Sequence, residues 1–231
     1  KTLGDYAEAE PLLTRALAID EKALGPEYPK LAIDLNNLGM LYYNVGDYAK
    51  AEPLLKRAFE IKEKALGPEH PQVAADLNNL GMLYNTLGDY AKAEPLYKRA
   101  LEIWEKVLGP EHPKVAIVLN NLGGLYYNLG DYAKPEPLYK RALEIWEKAL
   151  GPEHPNTKTV HVILDWFALR HGLRTWRSAK GTNSIEAHFV SLKNGVIQLH
   201  YPDGETKDIP AEKLSQEDQE YAANAQKLLD E

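Results

Sequence analysis

The chain has no cysteine, which excludes disulfides and thiolate metal sites and leaves the redox compartment open. It has no apolar run near the ~18 residues that a membrane-spanning helix needs, so no membrane span is expected. It has no Lys/Arg cluster, and its formal charge is −7. Phosphate neutralisation dominates nucleic-acid affinity, so an acidic chain without a basic patch is a poor candidate for that partner. No signal peptide is recognisable. The chain opens at Lys1, without Met and partway through a repeated pattern, and reads as a piece of a longer protein. Without cysteine or signal, the expected compartment is the cytoplasm. Chemical motifs are missing as well. There is no nucleophile elbow, no phosphate loop and no His-Glu zinc helix, and Gly123-Gly124 lies in a helical context rather than a nucleotide fingerprint. No catalysis, no cofactor and no metal are expected.

What is present is a repeat. NNLG begins at Asn36, Asn78 and Asn120, and GDYA at Gly4, Gly46, Gly88 and Gly130. The linker GPE-His/Tyr-P begins at Gly25, Gly67, Gly109 and Gly151, so one unit recurs every 42 residues. Each unit reads as two helices. Residues 1–3 read as the end of a lost helix, followed by a turn at Gly4-Asp5 and a helix to about Leu24. First helices are expected over Pro29–Val45, Pro71–Leu87 and Pro113–Leu129, because Pro suits the first helical position. Leu31, Leu35, Leu38 and Tyr42 form an apolar stripe at helical spacing. Gly46, Gly88 and Gly130 suit left-handed closing residues, and Asp47, Asp89 and Asp131 suit N-caps of the second helices. Ala51, Leu55, Ala58 and Lys62 form the inward stripe of one second helix, and Ala93, Tyr97, Ala100 and Trp104 that of the next. Pro53, Pro95 and Pro137 each remove an intrahelical bond at ~3 kcal/mol, so distorted first turns are expected there, and Pro135 makes the last copy worse. Neither helix buries its stripe alone, so stacked copies should form a right-handed α-solenoid with first helices on the concave side.

The order Leu38, Gly39, Tyr42, Gly46, Tyr48, Ala51, Ala58 resembles the tetratricopeptide repeat. The length, the NNLG core and the ALGPEHP linker resemble the long variant of kinesin light chains and related bacterial arrays. The resemblance covers about residues 1–171, roughly four repeats, the first truncated. It implies a protein- or peptide-binding scaffold without catalysis. Residues 155–171 lose NNLG and read as a degenerate capping helix.

Residues 172–231 change period. Residues 184–192, 196–201 and 205–209 alternate as strands, with Ile185, Ala187, Phe189 and Leu192 inward and Glu186 and His188 outward. Asn194-Gly195 is a hairpin signal. Ser215 to Asp218 is a helix-start box, opening a helix to about Leu229. The segments R-T-W, I-E-A-H-F-V, N-G-V-I-Q-L and D-G-E-T-K-D-I-P resemble Sla-one homology domain one. That resemblance implies a small SH3-like β-barrel with a terminal helix and a possible short-motif site.

Asn is a poor interior helix residue, so three Asn pairs mid-helix suggest a use. In arrays of the resembling type, the Asn before Leu-Gly faces the groove and bonds the ligand backbone. Here that position is Asn37, Asn79 and Asn121. One turn on are Met40, Met82 and Gly124, then Asn44, Thr86 and Asn128; one turn back are Ile33, Ala75 and Ile117. These residues are the candidate peptide groove. The alternative is that the amides bond within or between helices. The groove shows no Lys/Arg clamp for carboxylate-ended peptides. His70, His112 and His154 recur in linkers too far apart to share an ion, since helix layers are spaced about 10 Å apart, and read as helix-start contacts. Trp104 and Trp146 stand where other copies have Asp20 and Lys62 and read as packing between copies. Trp166, Phe167 and Trp176 read as glue between array and tail. Carboxylates read as solubilising charges on outer faces. The competing function is a structural spacer without a peptide ligand.

Overall fold

The computed structural model describes residues 3–171, 173–177, 184–201 and 204–230. They divide into two compact units, Lys1–Ala149 and Leu150–Glu231.

The first unit is a run of antiparallel helices. They are α1 (Leu3–Leu24), α2 (Leu31–Val45), α3 (Tyr48–Leu66), α4 (Pro71–Thr86), α5 (Tyr90–Leu108), α6 (Pro113–Asn128) and α7 (Pro135–Leu150). Local chemistry sets their ends. Gly46 closes α2 at φ +83°, and its left-handed turn lets the Asp47 N–H reach back to the Tyr42 carbonyl at 2.9 Å. Asp47 and Asp89 then cap α3 and α5, accepting from the Lys50 and Lys92 N–H groups. His70 and His112 open α4 and α6, each Nδ1 accepting a backbone N–H two residues on at 3.2 Å. The first copy has Tyr28 at that position, and α2 starts two residues later than expected, at Leu31, with no side-chain cap. At the other end, α1 begins at Leu3, so Gly4-Asp5 forms its first turn rather than a separate turn.

The prolines divide by copy. Helices α3 and α5 run unbroken through Pro53 and Pro95. In the last copy the additional Pro135 becomes the first helical residue, and residues 132–134 are turn rather than helix.

The core sits between helices of successive layers. Leu31, Ala32, Leu35, Leu77, Ala58 and Ala100 are almost fully buried. Gly39, Gly81 and Gly123 allow the close crossing of first and second helices. A Cβ on them would meet Leu55, Tyr97 or Tyr139 at 2.8, 2.7 and 2.7 Å. First helices α2, α4 and α6 touch in succession.

The second unit contains α8 (Pro155–His171), strands β1 (Leu173–Arg177), β2 (Ser184–Lys193), β3 (Val196–His200) and β4 (Thr206–Pro210), a 3-10 turn (Ala211–Lys213) and α9 (Gln216–Asp230). The strands pair antiparallel in the order β1-β2-β3-β4. This is an open meander rather than the closed barrel expected. One face is already covered: Ala187, Phe189, Ile197 and Leu199 pack with Leu214, Ala222 and Ala225 from the turn and α9. The β2–β3 hairpin turns on Asn194 (φ 52°) and Gly195 (φ 74°), both left-handed as a type I′ turn requires. Ser215 caps α9, its Oγ accepting the Asp218 N–H and donating to the Asp218 carboxylate. The side chains of Ile185, Glu186, His188, Trp166 and Trp176 lie outside the described residues; Phe167 is buried.

Candidate functional site

The candidate groove is the first-helix face of the array. Side chains one unit apart meet there. Asn79 Nδ2 donates to Asn36 Oδ1 at 2.8 Å, and Asn121 Nδ2 to Asn78 Oδ1 at 2.9 Å. Asn128 Nδ2 donates to Asn85 Oδ1 at 3.3 Å, and Tyr43 and Thr86 hydroxyls lie 3.0 Å apart. Each link joins one first helix to the next. In the middle pair Asn78 accepts and Asn79 donates; Asn36 is likewise an acceptor and Asn121 a donor. Asn36 and Asn78 thus have a role as acceptors that sequence reasoning did not separate from that of their neighbours. The offset between partners is 43 residues, the period plus one, which is the signal that could have found it.

The remaining groove residues are placed as follows. Asn37 and Asn44 are exposed, and Ile33 and Ile117 are 52% and 37% exposed. Met40 and Met82 are half-buried, and Met82 Sδ accepts a weak bond from Asn78 Nδ2 at 3.6 Å. Asn79 and Asn121 are half-buried, and beyond the link each amide keeps one hydrogen and its carbonyl oxygen. Asn120 Oδ1 is buried without a partner. One period beyond Asn121 the sequence has Ile163, which has no amide to give. The face therefore combines apolar side chains with amide groups and carries no net charge among the candidates.

Elsewhere on the array, charge joins the copies. Tyr42, Tyr84 and Tyr126 donate to Glu10, Glu52 and Glu94 of the preceding second helix at 2.7, 2.9 and 2.8 Å. The acidic partner raises the Tyr42 phenol, and burial chiefly raises those of Tyr84 and Tyr126. Arg57 and Arg141 pair with Glu21 and Glu105, each at 2.6 Å. Lys64 pairs with Glu27, Lys106 with Glu69 and Lys148 with Glu111. Many carboxylates read as solubilising are thus cross-copy ties.

One interior position changes character along the array. Lys62 and Asp76 form a buried pair at 2.8 Å, and burial raises the Asp76 carboxyl although Lys62 opposes it. One copy earlier the two positions hold Asp20 and Asp34. Lys30 lies 2.9 Å from Asp20, and burial and the Asp20 charge raise Asp34. One copy later they hold Trp104 and Val118, both buried. The indole N–H of Trp104 donates to the Pro71 carbonyl at 3.0 Å, and Lys114 of the next copy lies over its ring. Trp104 and Trp146 are both packed inside. His154, like His70 and His112, serves as a helix-start acceptor, here for Asn156 N–H. No described helix is long and apolar enough to cross a membrane.

Comparison with known proteins agrees with this architecture. Tetratricopeptide repeat descriptions match residues 2–64, 34–102, 73–134 and 115–156, and SLA1 homology domain 1 matches residues 168–228. BtubC (BKLC) from P. vanneervenii aligns at TM-score 0.63 and 30% identity, covering 71% of this chain and 66% of that one. A Podosopora anserina putative kinesin light chain with nearly identical TPR-like repeats aligns at 0.60 and 28% identity, covering 71% and 78%. The C-terminal segment is 43% identical over 51 residues to the actin cytoskeleton-regulatory complex protein SLA1 of Candida albicans, and over 49 residues to that of Sclerotinia sclerotiorum. These matches cover 22% and 21% of this chain and 4% of each relative. With its repeats matched copy after copy and its end matched separately, the chain belongs to the tetratricopeptide repeat family and carries a SLA1 homology domain 1.

Proposed function

We propose that this protein is an interaction scaffold whose first-helix face takes an extended peptide segment of a partner protein. The observation that carries the reading is the pairing of exposed apolar side chains with amide groups along the first-helix face. Ile33 and Ile117 are exposed there, beside Asn37 and Asn44. An exposed Ile is ordinary singly, but exposed Ile on the same helix face as free amides offers apolar contact and backbone hydrogen bonds together. Asn79 and Asn121 take part with the amide groups left over from their inter-helix bonds. The SLA1 homology unit is a second, short-motif site in this reading. The cytoplasm is the proposed compartment, supported by the cytoskeletal name of its SLA1 relatives.

The test is a peptide-array screen with the whole chain, run beside an Ile33→Asp/Ile117→Asp variant. Peptides enriched by the parent and lost by the variant are expected. Equal enrichment by both would place binding off this face. No enrichment by either would favour the spacer function, for which the amide links between copies supply the rigidity.

A further inference from the structure

Each of α3, α5 and α7 carries three glutamates, and the first and last of each are engaged. Glu52, Glu94 and Glu136 pair with the lysine one turn on, Lys56, Lys98 and Lys140. Glu63 and Glu105 pair with Arg99 and Arg141 of the next copy, and Glu147 is engaged as well. The middle ones, Glu60, Glu102 and Glu144, are exposed and have no partner among the described residues. Lys56 and Lys64 stand one turn either side of Glu60, but Glu52 and Glu27 hold them. Each unpaired carboxylate borders a cavity. The first, of about 560 Å³, lies between Pro26 and Glu27 of the linker and Arg57, Glu60, Ile61 and Lys64 of α3. The next two copies repeat the same residue types around cavities of about 300 and about 270 Å³. Arg57 is bound by Glu21 and the Pro26 carbonyl, and Lys64 by Glu27. The charge left over in the slot is that of Glu60, beside the apolar walls of Pro26 and Ile61.

We propose that these slots form a docking surface for an extended basic segment of a partner protein, each slot taking one arginine side chain. Charge complementarity selects that occupant. The one unanswered charge in each slot is negative, and the planar guanidinium fork matches a carboxylate with two parallel hydrogen bonds. The methylene stem of arginine suits the apolar wall that leads to it. Cavities of about 270 and about 300 Å³ stand at the lower end of small-molecule pockets, which run from about 300 to about 1,000 Å³, and so suit a side chain rather than a cofactor. An acidic segment would have to displace Glu21 and Glu27 to reach Arg57 and Lys64, and would then face Glu60. Because the slot recurs in three copies, one flexible segment can engage several at once, and each further contact becomes intramolecular. The slots lie on second helices and linkers and share no residue with the first-helix groove, so this surface stands whether or not the groove binds.

The experiment titrates a fluorescein-labelled peptide of alternating arginine and alanine, roughly 20 residues long, into the whole chain at about 0.15 M salt, read by anisotropy. At ~3.3 Å per residue the extended peptide is long enough to cross layers spaced about 10 Å apart. Saturable binding is expected. Glu60→Gln alone should weaken it about twofold to fivefold, and Glu60→Gln with Glu102→Gln and Glu144→Gln about tenfold or more. The control chain Glu8→Gln/Asp165→Asn/Glu212→Gln removes exposed carboxylates elsewhere and should bind within about twofold of the parent, because distant charges are screened at that salt. The slot variant loses no ion pair, so its urea midpoint should match the parent's. Equal weakening by the control set would mean attraction to net charge alone and overturns the proposal. Absence of saturable binding overturns it too, as does tighter binding of the matching glutamate-alanine peptide, which would assign the slots to an acidic segment. A lower urea midpoint for the slot variant overturns it as well, by giving these carboxylates to the stability of the array.

Discussion

Gly81 and Gly124 make opposite demands although both lie inside first helices. A Cβ on Gly81 would stand 2.7 Å from Tyr97 Cε1, and Tyr97 is 1% exposed and cannot swing away. Gly81→Ala should therefore destabilise by about 1–3 kcal/mol through overpacking, read as a lower urea midpoint. A Cβ on Gly124 meets only Tyr139 Oη at 3.7 Å, an ordinary contact. Gly124→Ala should gain up to ~1 kcal/mol from helix propensity, and a loss there would show that the crossing is tighter than the structure has it. Asp34 gives a pH-dependent case. Burial first, and the Asp20 charge next, raise its carboxyl above the ordinary 3.8, while one of its oxygens is buried without a partner. The folded state then holds this proton more tightly than the unfolded state. Its contribution is most favourable below pH 3.8 and is lost as pH rises through the raised folded value. Asp20 titrates the other way, because Lys30 lowers it. Asp34→Asn should remove the Asp34 slope and raise stability at neutral pH. Urea midpoints for parent and variant from about pH 3 to about pH 7 test this, and parallel curves would exclude Asp34 as the source.

At the scale of elements, the α3–α4 junction is held by an ion pair where the α5–α6 junction holds Trp104 and Val118. Lys62→Met leaves Asp76 buried without its cation, which should cost about 3–5 kcal/mol. Lys62→Trp with Asp76→Val copies the neighbouring layer and should recover most of that loss, since replacing a buried pair by packed apolar groups is often neutral or stabilising. A double variant no better than Lys62→Met would mean that the two layers differ in backbone spacing. What the sequence made legible follows the same division. Gly46, Asp47, His70 and the Asn194-Gly195 turn were readable, because a cap or turn is fixed by residues a few positions apart. The recurrence of the Asn pairs was readable, but not that Asn79 would bond Asn36. Identical copies mark which residues recur without marking which ones overlie each other across a layer. The Tyr84–Glu52 and Arg57–Glu21 ties were hidden for that reason. The open sheet was missed because alternation marks strands and their inward faces, while closure depends on what covers those faces, here Leu214, Ala222 and Ala225.

For the array as a whole, stability is expected to be distributed rather than uniform. From α1 to α6 each helix touches the next, and first helices touch their successors, so an inner copy is held from both sides. Among the described residues helix α1 meets α2, and its Leu12 and Ile19 are 68% and 55% exposed. Its Arg15 is exposed and, among the described residues, makes no bond like those of Arg57 and Arg99 to a linker carbonyl. Opening α1 therefore breaks one helix interface, whereas opening α4 or α5 breaks interfaces on both sides. Hydrogen exchange should show amides of α1 opening locally, at a free energy well below that of global unfolding, and amides of α4 and α5 exchanging only through the largest openings. Denaturant should leave α1 exchange nearly unaffected and accelerate exchange in α4 and α5 steeply, because local opening exposes little new surface and unfolding of the inner copies exposes much. Equal protection and equal denaturant dependence across α1, α4 and α5 would show that the array opens as one cooperative block. Nearest-neighbour contacts would then not be what limits its stability.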